Sequence, residues 1–414
     1  MSNFIVKQSG LSFNLGAPIG LPPFIPSSTQ YVRTQNRGNL PEPEIPGQNL
    51  PRAVNYLADY GGCAFYRCMA PNSMLNLYQK GVIVELTTMV LDPRFYQGIK
   101  AVKIQRQATP VQREFVKFLK QLSVQNNFKL IYEIDDIVFR EDIPDYNRNK
   151  DAFVDDQIRS SILDIMNMCD EITVTCDFMR DYFIDKTGNK NVTVIPNYLQ
   201  KWWFDRYYDL NKLLKSYEKN KKKPKISIFA SGTHVDVTNR ANQQDDFAHI
   251  IQAVIKTRTM FRWQFYGCYP LPLKPFIDKR EIDFYPWVPL PEFPEAMANS
   301  DTQLSFACLQ DNNFNRAKSN IKLIESGALG IPCVCPDMVT YKDAFLKYKT
   351  GDEFIDQIKF ALKDQTRYAD LCKKSRKYAD NFWLEDEKNL GKHYEAYFTP
   401  YGSPERKFLK ECNP

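Results

Sequence analysis

The chain has 414 residues, of which 43% are hydrophobic and 25% charged, with 55 Lys and Arg against 49 Asp and Glu and a net charge of +6. That balance suits a globular protein of two or three domains. It carries no apolar run near the ~20 residues a membrane span needs, and its mild basicity accommodates a polyanionic partner without requiring one. Ten cysteines and only three histidines, His234, His249 and His393, show no zinc-type spacing; no metal site is expected, and reduced thiols in a cytoplasm are.

Residues 1–51 are rich in Pro, Gly, Asn and Ser and read as an extended or partly disordered arm rather than a signal peptide or anchor. A body follows in which short apolar strands alternate with helices. "RAVNYLADYGGCAFYRCMAPNSMLNLYQKG" reads as strand, Gly-containing loop and helix, and "AVKIQRQ" as a strand. "TPVQREFVKFLKQLSVQN" has helical spacing at Val111, Phe115, Phe118 or Leu119, and Leu122, with Pro110 near the first turn. "FKLIYEIDD" is a buried strand ending in acids, followed by "QIRSSILDIMNMC" as helix, "EITVTC" as strand, "DFMRDYFIDKTG" as helix and "NVTVIPN" as strand. The charged, proline-containing "YEKNKKKPK" interrupts this rhythm near a domain boundary.

The alternation then resumes with "KISIFASG", "FRWQFYG", "IDFYPWV", "TQLSFACL" and "IPCVCP" as strands, and ends in the helices "EFIDQIKFALKD" and "RYADLCKKSRKYADNF". The pattern implies an α/β protein of two doubly wound, Rossmann-like domains facing across a cleft. The expected divisions are a domain over 52–200, a linker over 201–225, a second domain over 226–380, and a C-terminal helix crossing back with a tail over 381–414. Ligands in such sheets sit outside the carboxyl ends of the strands.

The most chemically specific stretch is "NFNRAKSNIKLIESGALGIPCVCPD", 313–337. A helix over 318–329 would put Lys318, Lys322 and Glu325 on one face and Ile321, Ile324 and Ala328 on the next. Its first turn, Lys318-Ser319-Asn320, would offer unpaired N–H groups to an anion, reinforced by Arg316 and Lys318. A carboxylate farther along can accept both hydroxyls of a ribose. In isolation the same residues also fit a surface ion pair between Lys322 and Glu325.

Elsewhere, Gly62 lies where the first strand turns into a helix, and Arg67 follows one turn later. Glu133, Asp135 and Asp136 close a buried strand, where an acid can serve as a general base or simply cap a helix. Gly232 and Thr233 precede His234 after the first strand of the second half. Tyr266 and Val288 close the next two strands. Trp202 and Trp203 open an aromatic and lysine-rich run, 201–225, that suits either a stacked base or a packed helix face.

Three stretches together resemble one family. "AKSNIKLIESGALGIPCVCPD" is similar to the nucleotide-sugar signature of GT-B fold glycosyltransferases, "IFASGTHVDV" with "DDF" to their donor-phosphate turn, and "YGGCAFYRCMAPNSML" with "KLIYEIDDIVF" to the N-terminal half of phage and bacterial members.

The resemblance implies a metal-independent glycosyltransferase with a nucleotide-diphosphate sugar as donor substrate and no further cofactor. Glu325 would hold the ribose. Arg316, Ser319, Asn320, Gly232 and Thr233 would hold the diphosphate, with Gly62, Arg67, Tyr266 and Val288 completing the donor site. Lys318, His234, Asp135 and Asp136 would be catalytic, and Glu133, Trp202 and Trp203 would face the acceptor. Many retaining members carry a second glutamate, but the position eight before Glu325 is Ala317.

The segment "RYADLCKKSRKYADNFW" is expected to cross back to the first half, as in the family. The likeness reaches to the transferases that glycosylate hydroxymethylated cytosine in phage DNA, which implies DNA as acceptor partner and no membrane. A surface polysaccharide or protein acceptor, or a non-catalytic nucleotide- or DNA-binding protein, are the rival readings.

Overall fold

The computed structural model describes residues 50–409 apart from 79, 81, 88–90, 154–155 and 237–243, with 82–87 described by backbone alone. The arm expected over 1–51 therefore lies almost wholly outside the described residues.

Two six-stranded parallel sheets form the body, ordered β2-β1-β3-β4-β5-β6 and β12-β11-β10-β7-β8-β9. The first comprises β1 (Arg52–Tyr56), β2 (Val82–Thr87), β3 (Ile99–Gln105), β4 (Lys129–Glu133), β5 (Glu171–Val174) and β6 (Val192–Val194). The second comprises β7 (Lys225–Phe229), β8 (Arg262–Tyr266), β9 (Asp283–Tyr285), β10 (Leu304–Phe306), β11 (Cys333–Pro336) and β12 (Leu346–Tyr348). Such a sheet is covered on both faces, so its inner strands read as unbroken apolar runs; all four residues of β5 and all three of β6 are buried. The edge strands β2 and β12 are additions to the strands expected from the sequence.

Local chemistry sets the helix limits. Thr109 and Gln112 form a reciprocal capping box at the start of the Pro110–Asn126 helix, and Asn127 closes it at φ 55°. The helix expected from 318 begins only at Ile321: a short helix, Asn313–Arg316, precedes it, and Lys318–Asn320 form the bend between the two. The Asn320 side chain donates to the Tyr378 hydroxyl at 2.9 Å instead of capping its own helix.

The run Gly327-Ala328-Leu329-Gly330 has two physical causes. A Cβ on Gly327 would lie 2.6 Å from the Ser375 carbonyl oxygen, so only glycine lets the Ile321–Ala328 and Gln365–Ala379 helices approach this closely. Gly330, at φ 72°, turns the chain out of the helix and into β11.

The chain passes between domains at two adjacent places. Leu199 donates to the Phe382 carbonyl at 2.9 Å, and Leu384 donates back to Leu199 at 2.8 Å. The Leu210–Asn220 helix packs on the second domain, where Tyr217 stacks on Tyr368 at 4.8 Å. Tyr368 belongs to the Gln365–Ala379 helix, so that helix stays with the second domain. The following helix, Glu387–Phe398, reaches the first: Asn55 donates to the Tyr397 hydroxyl at 2.8 Å, and Tyr397 donates to Asn72 at 2.9 Å. Within "RYADLCKKSRKYADNFW" the helix to Ala379 covers the second domain, while Phe382 and Trp383 at its end meet Leu199, and the helix that reaches across is Glu387–Phe398.

One apolar cluster is shared by both domains. Ile324 and Ala328 lie in it with Phe65, Tyr66, Met69, Trp203 and Trp383. It presses the Ile321–Ala328 helix against the first helical segment of the N-terminal domain and so fixes the walls of the cleft.

Candidate active site

The carboxyl ends of both sheets face this junction. On the second domain, β7 leads into the turn Gly232–His234. Ser231 and Thr233 share a hydroxyl–hydroxyl bond of 2.6 Å there, and His234 Nδ1 lies 2.8 Å from Asp246 Oδ2. A carboxylate only accepts, so the neutral imidazole keeps its proton on Nδ1 and presents Nε2 as a lone pair. Burial pulls the His234 pKa below its ordinary value; the bond to Asp246 opposes that pull, while Lys322 and Lys318 add to it.

The bend before the Ile321–Ala328 helix faces the first domain. Lys318 Nζ donates to both carboxylate oxygens of Asp136 at 2.8 Å, and Asn197 donates to the Ser319 hydroxyl at 2.9 Å. Two of the residues expected to be catalytic, one from each domain, thus meet as an ion pair. Lys322 donates to the Phe229 carbonyl at the end of β7 at 2.5 Å. Arg316 instead forms a surface pair with Asp311, Nε to Oδ1 at 2.7 Å.

Glu325 is only 8% exposed. Its Oε1 accepts from the Tyr66 hydroxyl across the domain junction at 2.6 Å. Desolvation pushes its pKa up to about 7, against the lowering effects of the Tyr66 bond and of Lys322. Tyr66 lies in the stretch "YGGCAFYRCMAPNSML" that carries the resemblance, but no role was expected of it. It stands on a π-helical turn, Phe65–Met69, and only the packing of the two domains brings it to Glu325.

The first domain contributes a denser set of charges. Asp135 is partly buried, 3.7 Å from Arg106 Nε, and its Oδ1 has no hydrogen-bond partner among the described residues. Burial raises the Asp135 pKa, but Arg106, Cys63, Arg67 and Lys318 outweigh it and hold the group low. Arg106 also pairs with Asp59 and sits at φ 45°, an uncommon conformation for an arginine. Gly62 is exposed beside them.

Three residues expected at the cleft are engaged in the interior. Arg67 is fully buried: Nε and Nη2 reach the two oxygens of Glu133 at 2.6 and 3.3 Å, and Nη1 donates to the Ile195 carbonyl at 2.5 Å and to Asn197 at 3.0 Å. Arg67 and Glu133 therefore occupy one another instead of facing donor and acceptor. Trp203 is buried, edge-on to Phe65 at 5.0 Å, while Trp202 beside it is exposed. Spacing alone does not separate such an interior pair from a cleft pair, since both sit at the ends of parallel strands.

On the far side of the turn, Phe229, Tyr266 and Tyr285 stack in register across β7, β8 and β9, with centroids 4.1 and 4.5 Å apart. Val288 lies just beyond, partly buried. No group of three His, Cys, Asp or Glu side chains suited to a metal ion occurs among the described residues, and no helix among them is long and apolar enough to cross a membrane. Ala317 is fully buried against the core of the first domain, which places nothing acidic at that position.

Two doubly wound domains with strand ends opposed across a cleft and a C-terminal helix returning to the first constitute the GT-B fold. Solved structures share it. HepE of Anabaena in complex with UDP and glucose superposes with a TM-score of 0.54 at 10% identity, covering 81% of this chain and 95% of that one. A glycosyltransferase of Rickettsia africae superposes with a TM-score of 0.54 at 11% identity, covering 84% and 98%. No family model and no curated protein matches the sequence. At these identities the likeness carries the fold, and the chemistry rests on the residues of the cleft.

Proposed function

We propose that this protein is a glycosyltransferase that moves a sugar from a nucleotide-diphosphate donor, UDP-linked, to a hydroxyl acceptor. One observation carries the proposal: the bend Lys318–Asn320, Glu325 and, through Lys322 on the carbonyl of Phe229, the end of β7 that leads into the turn Gly232–His234 all meet at the domain junction. The diphosphate would lie against the turn and the bend, the ribose hydroxyls would replace Tyr66 on Glu325, and the base would rest near Tyr266 and Val288. HepE, whose crystals hold UDP and glucose, supports UDP as the nucleotide.

The leaving diphosphate needs positive charge as its bond to the sugar breaks. Lys318 supplies it by exchanging Asp136 for a phosphate, and that exchange frees Asp136 to take the acceptor proton if the reaction inverts. His234 donates to phosphate through Nε2 only when protonated, because Nδ1–H is held by Asp246. With this charge in place, transfer is expected to persist in EDTA.

For the acceptor we propose 5-hydroxymethylcytosine in DNA, with UDP-glucose or UDP-arabinose as donor. The support is the sequence resemblance to phage enzymes, the net charge of +6 and the exposed Trp202. The test is to incubate the protein with a panel of nucleotide sugars, with and without hydroxymethylated DNA, and to assay diphosphate release and sugar on the DNA. Transfer to DNA supports the whole proposal. Hydrolysis independent of DNA leaves the donor half standing and removes the DNA acceptor. No release from any donor, together with unaltered UDP binding in Glu325→Ala, overturns the enzyme reading.

A further inference from the structure

The cations around the phosphate turn are unequally committed. Lys318 is paired with Asp136, Lys322 donates to the Phe229 carbonyl, and Arg316 is tied to Asp311 at the surface. Arg148 differs. It is exposed and has no ion-pair partner among the described residues, yet a Cβ on Gly232 would lie 3.5 Å from its Nη1. It belongs to the first domain, in the loop after β4, and the glycine it covers belongs to the second.

That loop is held in place. Tyr146, two residues earlier, is buried and donates to Asp246 Oδ1 at 2.6 Å, while Asn315 donates to the Tyr146 hydroxyl at 3.0 Å. Asn147 is buried, and its Oδ1 accepts from the Asn149 amide at 2.9 Å. Asp246 is the same carboxylate that orients His234. One acid therefore fixes both the imidazole at the turn and the loop that carries Arg148 over it. A guanidinium held above a glycine turn, with no hydrogen-bond acceptor on it among the described residues, presents the planar fork that phosphate oxygens accept from.

We propose that Arg148 binds the donor diphosphate from across the cleft, so that the site is complete only when both domains contribute to it. The proposal rests on the nucleotide-sugar reading above and names a residue that reading did not use. A cation supplied by the opposite domain also couples diphosphate binding to cleft geometry.

The test compares UDP, UMP and uridine binding by calorimetry to the full chain and to Arg148→Ala and Arg148→Lys, with thermal unfolding as a check on folding. Arg148→Ala is expected to weaken UDP about tenfold or more, as loss of a charge-assisted hydrogen bond does, and uridine less than about twofold. Arg148→Lys should recover part of the UDP affinity, because it restores the charge without the fork. Equal UDP affinity in wild type and Arg148→Ala overturns the assignment, as does an equal loss for UDP and uridine. If wild type binds none of UDP, GDP or ADP, the nucleotide-sugar reading falls and the assignment falls with it. Unaltered UDP binding in Arg148→Ala alone removes only Arg148.

Discussion

Glu133 and Glu325 are both buried beside the domain junction, one in each domain, and their surroundings differ in kind. Glu133 has Arg67 across both its oxygens, the Thr173 hydroxyl, and Lys103 3.8 Å away. Glu325 has one tyrosine hydroxyl and a lysine that acts on it only through its field. A carboxylate surrounded by donors is stabilised as a structural charge. One left short of donors is pushed toward its neutral form and keeps lone pairs for a ligand. Under-satisfaction, more than burial, distinguishes the candidate functional acid from the structural one.

Three measurements would break or sharpen that contrast. The largest effect is expected for Arg67→Met, which strips Glu133 of its bidentate guanidinium, leaving only Lys103 at 3.8 Å as counter-charge, and leaves the Ile195 carbonyl without its donor. Removing one partner of a buried pair typically costs about 3–5 kcal/mol, which guanidinium denaturation would read directly. A loss below ~1 kcal/mol would mean that water reaches Glu133 and that Arg67 is not a structural residue.

A smaller effect of opposite sign is expected for Glu325→Gln. Between the ordinary glutamate value of 4.5 and about 7, the folded chain holds a proton that the unfolded chain has released. Wild type therefore loses stability as pH rises through that window, by up to about 3 kcal/mol, and Glu325→Gln does not. Denaturation midpoints at pH 5 and pH 8 should converge for the variant. Curves of equal slope for the two proteins would place Glu325 among the compensated acids with Glu133.

The smallest effect concerns His234. Burial keeps its ring neutral, and an anionic diphosphate would favour the protonated form, so UDP binding near pH 7 should take up a fraction of a proton. Calorimetry in two buffers of different ionisation enthalpy reads that number. No uptake in the wild type would leave His234 as a structural partner of Asp246.

Much of the fold was legible in the chain. Pro110 in a first turn announced a helix start, and unbroken apolar runs announced β4 and β5. These signals are local, arising from hydrogen bonds and sterics within a few residues, and they mark the ends of elements well. The partial register of the cleft was legible too, since strand ends collect chemistry in parallel sheets.

The sequence by itself therefore determined two parallel-sheet domains, the positions of most strands, and a basic bend followed by a glutamate. It did not separate Arg67 and Glu133 from Asp136 and Lys318, because each pair joins residues at least 66 positions apart and the outcome depends on which side chains water can reach. Tertiary structure decided that the first pair is sealed, that the second spans the domains, that Tyr66 occupies Glu325, and that Arg148 lies over Gly232. The physical reason is that local propensity acts over a few residues, whereas desolvation and pairing of charge are set by whatever the rest of the chain brings alongside.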